Sequence, residues 1–259
     1  MPKLLENERL DEVNEKLSLI QKKDGLTFGT DAYLLAAFLR PQRNAIAVEL
    51  GTGTGIISLL LAARDRFEKI WALEVQEEFS TLASRNVLLN RMEDRVFVRH
   101  RDLRDFGVSE IGREVDVVFS NPPYMRTDSG KRNQSDGKYI ARHEVCGDIG
   151  DFCAAAARLL KYGGRFYCVY RPDRLSELMH ALQQHRLEPK TMVFVHADIA
   201  SEPSMVLISA TKGGAPSLRI LPPLILHDSI EPASTRQLSA RAKKIYDTMS
   251  FYEETKDKG

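Results

Sequence analysis

The stretch Ala45-Ile46-Ala47-Val48-Glu49-Leu50-Gly51-Thr52-Gly53-Thr54-Gly55 decides the fold. Ala45 to Leu50 reads as a buried strand, and Gly51 to Gly55 as a loop in which the backbone turns sharply. Ile56 to Ala63 follows as a helix. The same order of strand, loop and helix then recurs. Ile70 to Glu74 and Val96 to Val98 read as strands around a helix from Glu77 to Asn90, whose Phe79, Leu82, Ala83 and Leu89 form an apolar side. Val115 to Phe119 and Arg165 to Tyr170 read as strands. Helices are expected from Asp151 to Leu160, ended by Gly163-Gly164, and from Pro172 to His185. This alternation predicts an α/β, doubly wound, mostly parallel sheet covered on both faces. The last two strands, Thr191 to His196 and Met205 to Ala210, are joined by about eight residues. That is too short for a crossover, so they should pair antiparallel. The expectation is a seven-stranded sheet with an antiparallel last strand.

Working outward, residues 1–16 are charged and read as helical or frayed. Leu17-Ser18-Leu19-Ile20 and Leu26-Thr27-Phe28 flank Asp24-Gly25, a hairpin-turn signal. Asp31 to Leu39 reads as a helix capped by Thr30 or Asp31, with Leu34, Leu35, Phe38 and Leu39 apolar and Pro41 at its end. After Gly213-Gly214, Pro216, Pro222 and Pro223 mark an extended surface segment. The expected division is an N-terminal extension with hairpin and helix over 1–44, the α/β domain over 45–228, and a polar, mobile C-terminal tail over 229–259.

With 259 residues and 43% apolar content a full core can form, and a net charge of +1 leaves any basic surface to be local. Cys146, Cys153 and Cys168 fit neither metal-site nor disulfide spacing, which points to a reducing compartment and to no metal. The polar start and the lack of a long apolar stretch predict a cytoplasmic protein away from membranes.

The loop's Gly-x-Gly-x-Gly spacing differs from the Gly-x-Gly-x-x-Gly of nicotinamide-binding loops, the rival enzyme reading. Glu74 ends the second strand 21 residues after Gly53, where a carboxylate can accept from both hydroxyls of a ribose. Asp102 follows the third strand, placed to reach an adenine amino group. The combination resembles the cofactor half of class I S-adenosylmethionine-dependent methyltransferases. The resemblance implies S-adenosyl-L-methionine as cofactor, held by Glu49, Gly51, Gly53, Gly55, Glu74, Asp102 and Asn121.

Asn121-Pro122-Pro123-Tyr124 follows the strand Val115 to Phe119. Two prolines cannot continue a ladder, so the tetrapeptide is a stiff, exposed exit from the sheet. It is similar to the signature of methyltransferases that modify a planar, conjugated nitrogen: adenine N6, cytosine N4 or a glutamine amide. Such a nitrogen is a poor nucleophile because its lone pair is delocalised. With the Asn121 carboxamide oxygen and the Pro122 carbonyl accepting its two N–H groups, the lone pair is freed towards the methyl group. Tyr124 offers a stacking face for a base. Asn121, Pro122 and Tyr124 are therefore the candidate catalytic residues.

Met125 to Gly147 is a 23-residue stretch with little periodicity, carrying five basic residues against three acidic ones. Such loops are functional or disordered, and a basic excess suits phosphates. A narrower resemblance rests on Phe28-Gly29-Thr30-Asp31, Asn121-Pro122-Pro123-Tyr124, Ala141-Arg142-His143-Glu144 and Ala210-Thr211-Lys212-Gly213-Gly214. Together they are similar to the bacterial family that includes the valine-tRNA adenine-N6 methyltransferase. By that resemblance RNA, most often tRNA, is the partner. Phe28, Thr30 and Asp31 close over the cofactor. Tyr124, Arg126, Arg142, His143 and Lys212 face the substrate. A release-factor glutamine N5-methyltransferase, a DNA adenine methyltransferase and a non-enzymatic cofactor-binding RNA chaperone stand as alternatives. The short segment before the glycine loop disfavours the first, and the intact Asn121 the last.

Overall fold

The computed structural model describes residues 2–23, 29–123, 147–230 and 236–252. The chain opens with an antiparallel hairpin of β1 (Glu8–Asn14) and β2 (Leu17–Lys22). This corrects the helical or frayed reading of residues 1–16. Only Glu8 of β1 is buried, so an outer strand of mostly charged residues carries no apolar period to read. The turn expected at Asp24-Gly25 lies outside the described residues.

Helix α1 (Thr30–Phe38) begins at Gly29, and no side chain caps it. Thr30 and Asp31 both lie within the helix, which corrects the capping expectation. Beyond it come β3 (Gln42–Leu50), α2 (Ile56–Ala62), β4 (Phe67–Glu74), α3 (Glu77–Leu89) and β5 (Val96–His100). Side chains of α3, together with Asn90 just after it, finish the free edge of β2. The Asn86 amide accepts from Ile20 N (2.7 Å) and donates to Ile20 O (3.1 Å). Asn90 does the same for Ser18, at 3.0 and 2.8 Å. These two asparagines, one helical turn apart, replace a neighbouring strand.

The chain continues through α4 (Val108–Ile111), β6 (Val115–Ser120), α5 (Ile149–Leu159) and β7 (Leu160–Tyr170). Asp148 and Asp151 cap α5 reciprocally, each side chain accepting from the other's backbone N–H at 3.0 Å. Gly163-Gly164 does not end this helix, as expected from sequence; both glycines lie inside β7, where its register against β6 shifts. A side chain at Gly164 would meet the Asp116 carbonyl at 3.1 Å, so close strand approach explains the residue. A 3-10 turn and α6 (Leu175–Gln184) lead to β8 (Leu187–His196) and β9 (Pro203–Lys212). Two-residue strands β10 (Arg219–Ile220) and β11 (Leu224–Ile225) then pair with β8.

The main sheet runs β10-β8-β9-β7-β6-β3-β4-β5, with β11 also on β8. From β7 to β5 all pairings are parallel. The antiparallel strand is β9, inserted between β7 and β8. The expected seven strands are thus present, and two short edge strands make nine. One face packs on α1 and α2, the other on α5 and α6.

The tail expectation is also corrected. Helix α7 (Ala240–Thr248) buries Ala242 and Ile245, and Met249 follows it into the core around α1. Tyr33 stacks on Tyr246 with ring centroids 4.8 Å apart, and Arg66 donates to the Met249 carbonyl at 2.6 Å. Only every third or fourth residue of α7 is buried, so average polarity hides its docking stripe. Among the described residues no helix is long and apolar enough to cross a membrane.

Candidate active site

The order of strand addition reverses beside β3: β4 and β5 extend the sheet on one side, β6 and β7 on the other. In an open α/β sheet a crevice forms beyond the strand ends at such a point. The two chain segments leaving β3 and β6 there are the glycine loop and the Asn121 peptide. Ser120 ties them, its hydroxyl donating to the Leu50 carbonyl at 2.8 Å.

Gly51, Gly53 and Gly55 have φ of 72°, 57° and 85°, the left-handed region that favours glycine. A side chain at Gly53 would meet nothing within 4 Å, so the loop leaves open space above its centre. Beneath it, Gly51 faces the Phe152 ring and Gly55 faces Ala83. Glu74 sits at the end of β4, 5% exposed, accepting from Gly53 N at 2.8 Å and Gln76 N at 3.0 Å. Each carboxylate oxygen can accept a second bond, so the group remains competent for hydroxyls on the open side.

Glu49 does not stand beside that opening. It is 1% exposed, and its Oε2 accepts from the Thr52 hydroxyl (2.7 Å), the Ser58 N–H (3.2 Å) and the Ser58 hydroxyl. Burial pushes its carboxyl up to about 7, against the pull of Ser58 and Thr52, with the Glu74 charge adding to the rise. In the described structure Glu49 supports the loop from below. Asp102 lies just past β5, with both carboxylate oxygens engaged by the Arg104 guanidinium and Oδ1 also by Arg104 N. Arg104 holds its carboxyl below the usual range.

Asn121 leaves β6 with its amide nitrogen donating to Asp31 Oδ2 at 2.8 Å. Its amide oxygen, Oδ1, is buried and has no partner among the described residues. Pro122 is buried and Pro123 exposed. Thr30 and Asp31, at the start of α1, line a cavity of about 620 Å³ with Arg171, Pro172, Asp173, Glu202 and the first residues of β9, Pro203 to Met205. The structure thus brings Thr30, Asp31, Gly51, Gly53, Gly55, Glu74 and Asn121 to one edge. Phe28, Tyr124, Arg126, Arg142 and His143 lie outside the described residues.

Lys212 does not join this edge. β9 runs antiparallel to β7, so Lys212 pairs with Leu187 and donates to the Leu160 carbonyl, at the starts of β8 and β7. It stands at the opposite end of the ten-residue β9 from Pro203, about 30 Å away at the usual rise. Sequence reading missed Thr52 and Ser58 under the loop, although a hydroxyl inside Ile56-Ile57-Ser58-Leu59-Leu60 is a legible signal. It also missed Arg171, Glu202 and the start of β9, Pro203 to Met205, whose place follows only from the β8-β9 hairpin. Among the described residues no cluster of side chains could hold a metal ion.

A family model described as a methyltransferase small domain matches residues 22–186. A tRNA1(Val) (adenine(37)-N6)-methyltransferase of Phocaeicola vulgatus is 31% identical over 197 residues, covering 75% of this chain and 81% of that protein. A protein of the same description from Dyadobacter fermentans is 33% identical over 144 residues, 56% of this chain and 58% of that one. Among solved structures, a predicted O-methyltransferase of Agrobacterium tumefaciens superposes with a TM-score of 0.68 at 22% identity, covering 86% of this chain and 98% of its own. TYW2 of P. horikoshii, in complex with MeSAdo, gives 0.55 at 16% identity, over 81% and 73%. These last two likenesses show the shared fold.

Proposed function

The chain belongs to the methyltransferase small domain family, and from that premise we propose that it transfers the methyl group of S-adenosyl-L-methionine to the exocyclic N6 of an adenine in RNA, a tRNA anticodon-loop adenosine. The observation that carries this reading is the Asn121 amide oxygen: buried, without a partner among the described residues, and at the sheet edge beside the glycine loop. A buried acceptor without a donor is costly, and such atoms concentrate where a ligand supplies the partner.

The residues present fit the cofactor. The open space above Gly53 admits a ligand against the backbone. Glu74 offers acceptors for the ribose hydroxyls. Asp102, at the neighbouring strand end, would take the adenine amino group on exchanging part of its Arg104 pairing. When bound, the cofactor supplies a sulfonium methyl group with a good leaving group behind it.

The chain's own residues do the rest. Asn121 Oδ1 and the Pro122 carbonyl accept the two N–H groups of the target nitrogen and aim its lone pair. The stiff Asn121-Pro122-Pro123 backbone holds these acceptors still, so catalysis is mainly positioning. Tyr124 gives the base a face to stack on, and Arg126, Arg142 and His143 contact RNA. The cavity beside Thr30 and Asp31 receives the target nucleotide. A base in a loop reaches it more cheaply than one flipped from a duplex.

The test is to incubate the protein with methyl-labelled cofactor and, separately, tRNA, ribosomal RNA, DNA and release factors, and then to identify the labelled product. N6-methyladenosine from tRNA is expected. Label in a glutamine of a release factor and in no nucleic acid would overturn the proposal.

A further inference from the structure

The N-terminal segment contributes to the site through one side chain that the reaction scheme above leaves unused. We propose that Asp31 is a positioning residue for the methyl transfer: its carboxylate locks the Asn121 amide in the one orientation that turns the oxygen towards the target nitrogen. This inference rests on the acceptor role of Asn121 proposed above.

The argument begins with the ambiguity of a carboxamide. Its two ends are nearly the same size, one donating and one accepting, and a half-turn exchanges them. An amide that must accept from the substrate is wasted in the flipped state. Asp31 Oδ2 lies 2.8 Å from the Asn121 nitrogen. A carboxylate only accepts, so it can face the NH₂ end and not the oxygen. The consequence is visible on the other side of the same group: Oδ1 is buried with no partner among the described residues. The Asp31 bond therefore holds a costly orphan in place before the substrate arrives, which is the preorganisation expected of a catalytic dipole.

A second observation comes from Gly29. Its φ of −104° and ψ of 179° are extended, which any residue adopts, so backbone conformation does not call for glycine here. Space does. A side-chain carbon at position 29 would lie 2.6 Å from Asp31 Oδ1. The missing side chain is what lets the carboxylate fold back to this place. Asp31 also lines the cavity beside the site, so it links the segment ahead of the sheet to the reacting atoms.

The test measures single-turnover rate on tRNA and cofactor affinity together. An asparagine at 31 can face either end of the Asn121 amide. D31N is therefore expected to lower the rate by about 10²-fold while cofactor affinity stays within about twofold. G29A, which leaves both side chains intact but crowds Asp31, is expected to lower the rate in the same sense. N121D sets two carboxylates against each other and is expected to be slow. Adding D31N to it supplies a donor that holds the new carboxylate, and should restore at least about tenfold of the lost rate. A merely structural Asp31 predicts no such reciprocal rescue. D31N turning over at the wild-type rate, or a double variant no faster than N121D, would overturn the inference. So would D31N losing cofactor affinity at unchanged rate, which would return Asp31 to cofactor binding. If N121A itself keeps its turnover, the acceptor reading fails instead. If N121A is inactive and D31N is active, only the positioning role fails.

Discussion

Replacing Glu49 by glutamine should change how stability depends on pH more than it changes stability at any one pH. Glu49 is 1% exposed and its carboxyl is raised from 4.5 to about 7, chiefly by burial. The native state then binds a proton that the unfolded chain has already released. Where the native form holds more protons, stability falls as pH rises. The contribution is therefore fully present below about pH 4.5, is lost progressively through about pH 7, and is constant above that. Two and a half pH units at about 1.4 kcal/mol each give a loss of about 3 kcal/mol across the window. Glutamine keeps an oxygen for Thr52 and Ser58 and does not titrate. Urea unfolding of both proteins at several pH values between about 4.5 and 8 isolates the effect, because all other groups cancel in the difference. The stability of E49Q relative to wild type should rise by about 3 kcal/mol across that range. Parallel curves would refute the buried, proton-holding carboxyl under the glycine loop.

Asn86→Ala should destabilise by about 2–4 kcal/mol in urea unfolding, because the buried Ile20 N–H and C=O lose their partners and the Thr54 carbonyl loses a third bond. Ile245→Ala should cost about 2–5 kcal/mol and lower Tm, since α7 is docked; an unchanged Tm would restore the view of a loose tail. Lys212→Ala should leave tRNA affinity and turnover within about twofold, because the residue lies at the far edge of the sheet; a clear loss in a filter-binding assay would place RNA there after all.

The doubly wound sheet was legible because each parallel strand is a short apolar run ending at glycine, proline or an acid, as Leu50, Ser120 and Tyr170 show. The antiparallel β9 followed from the short link after His196. The reading then failed to draw its own consequence: an antiparallel β9 carries Lys212 away from the site. β1 was hidden because its partner lies on one side only and its residues are mostly charged; the groups that close the other edge of the hairpin, at β2, sit far along the chain in Asn86 and Asn90. The docking of α7 was hidden for a similar reason. Three buried positions in a polar stretch, Ala242, Ile245 and Met249, speak only once α1 is there to receive them. At the site, glycine spacing and Glu74 could be read locally. The Asn121–Asp31 bond could not, since it joins segments that only the fold brings together.

The central claim is that the Asn121 oxygen accepts from the adenine amino group during transfer. The most direct test is a single-turnover assay of Asn121→Ala on tRNA, with cofactor affinity measured on the same preparation by calorimetry. The account predicts near-wild-type cofactor affinity and a methyl-transfer rate reduced by at least about 10²-fold. A variant that transfers methyl groups within a few-fold of the wild-type rate would contradict it.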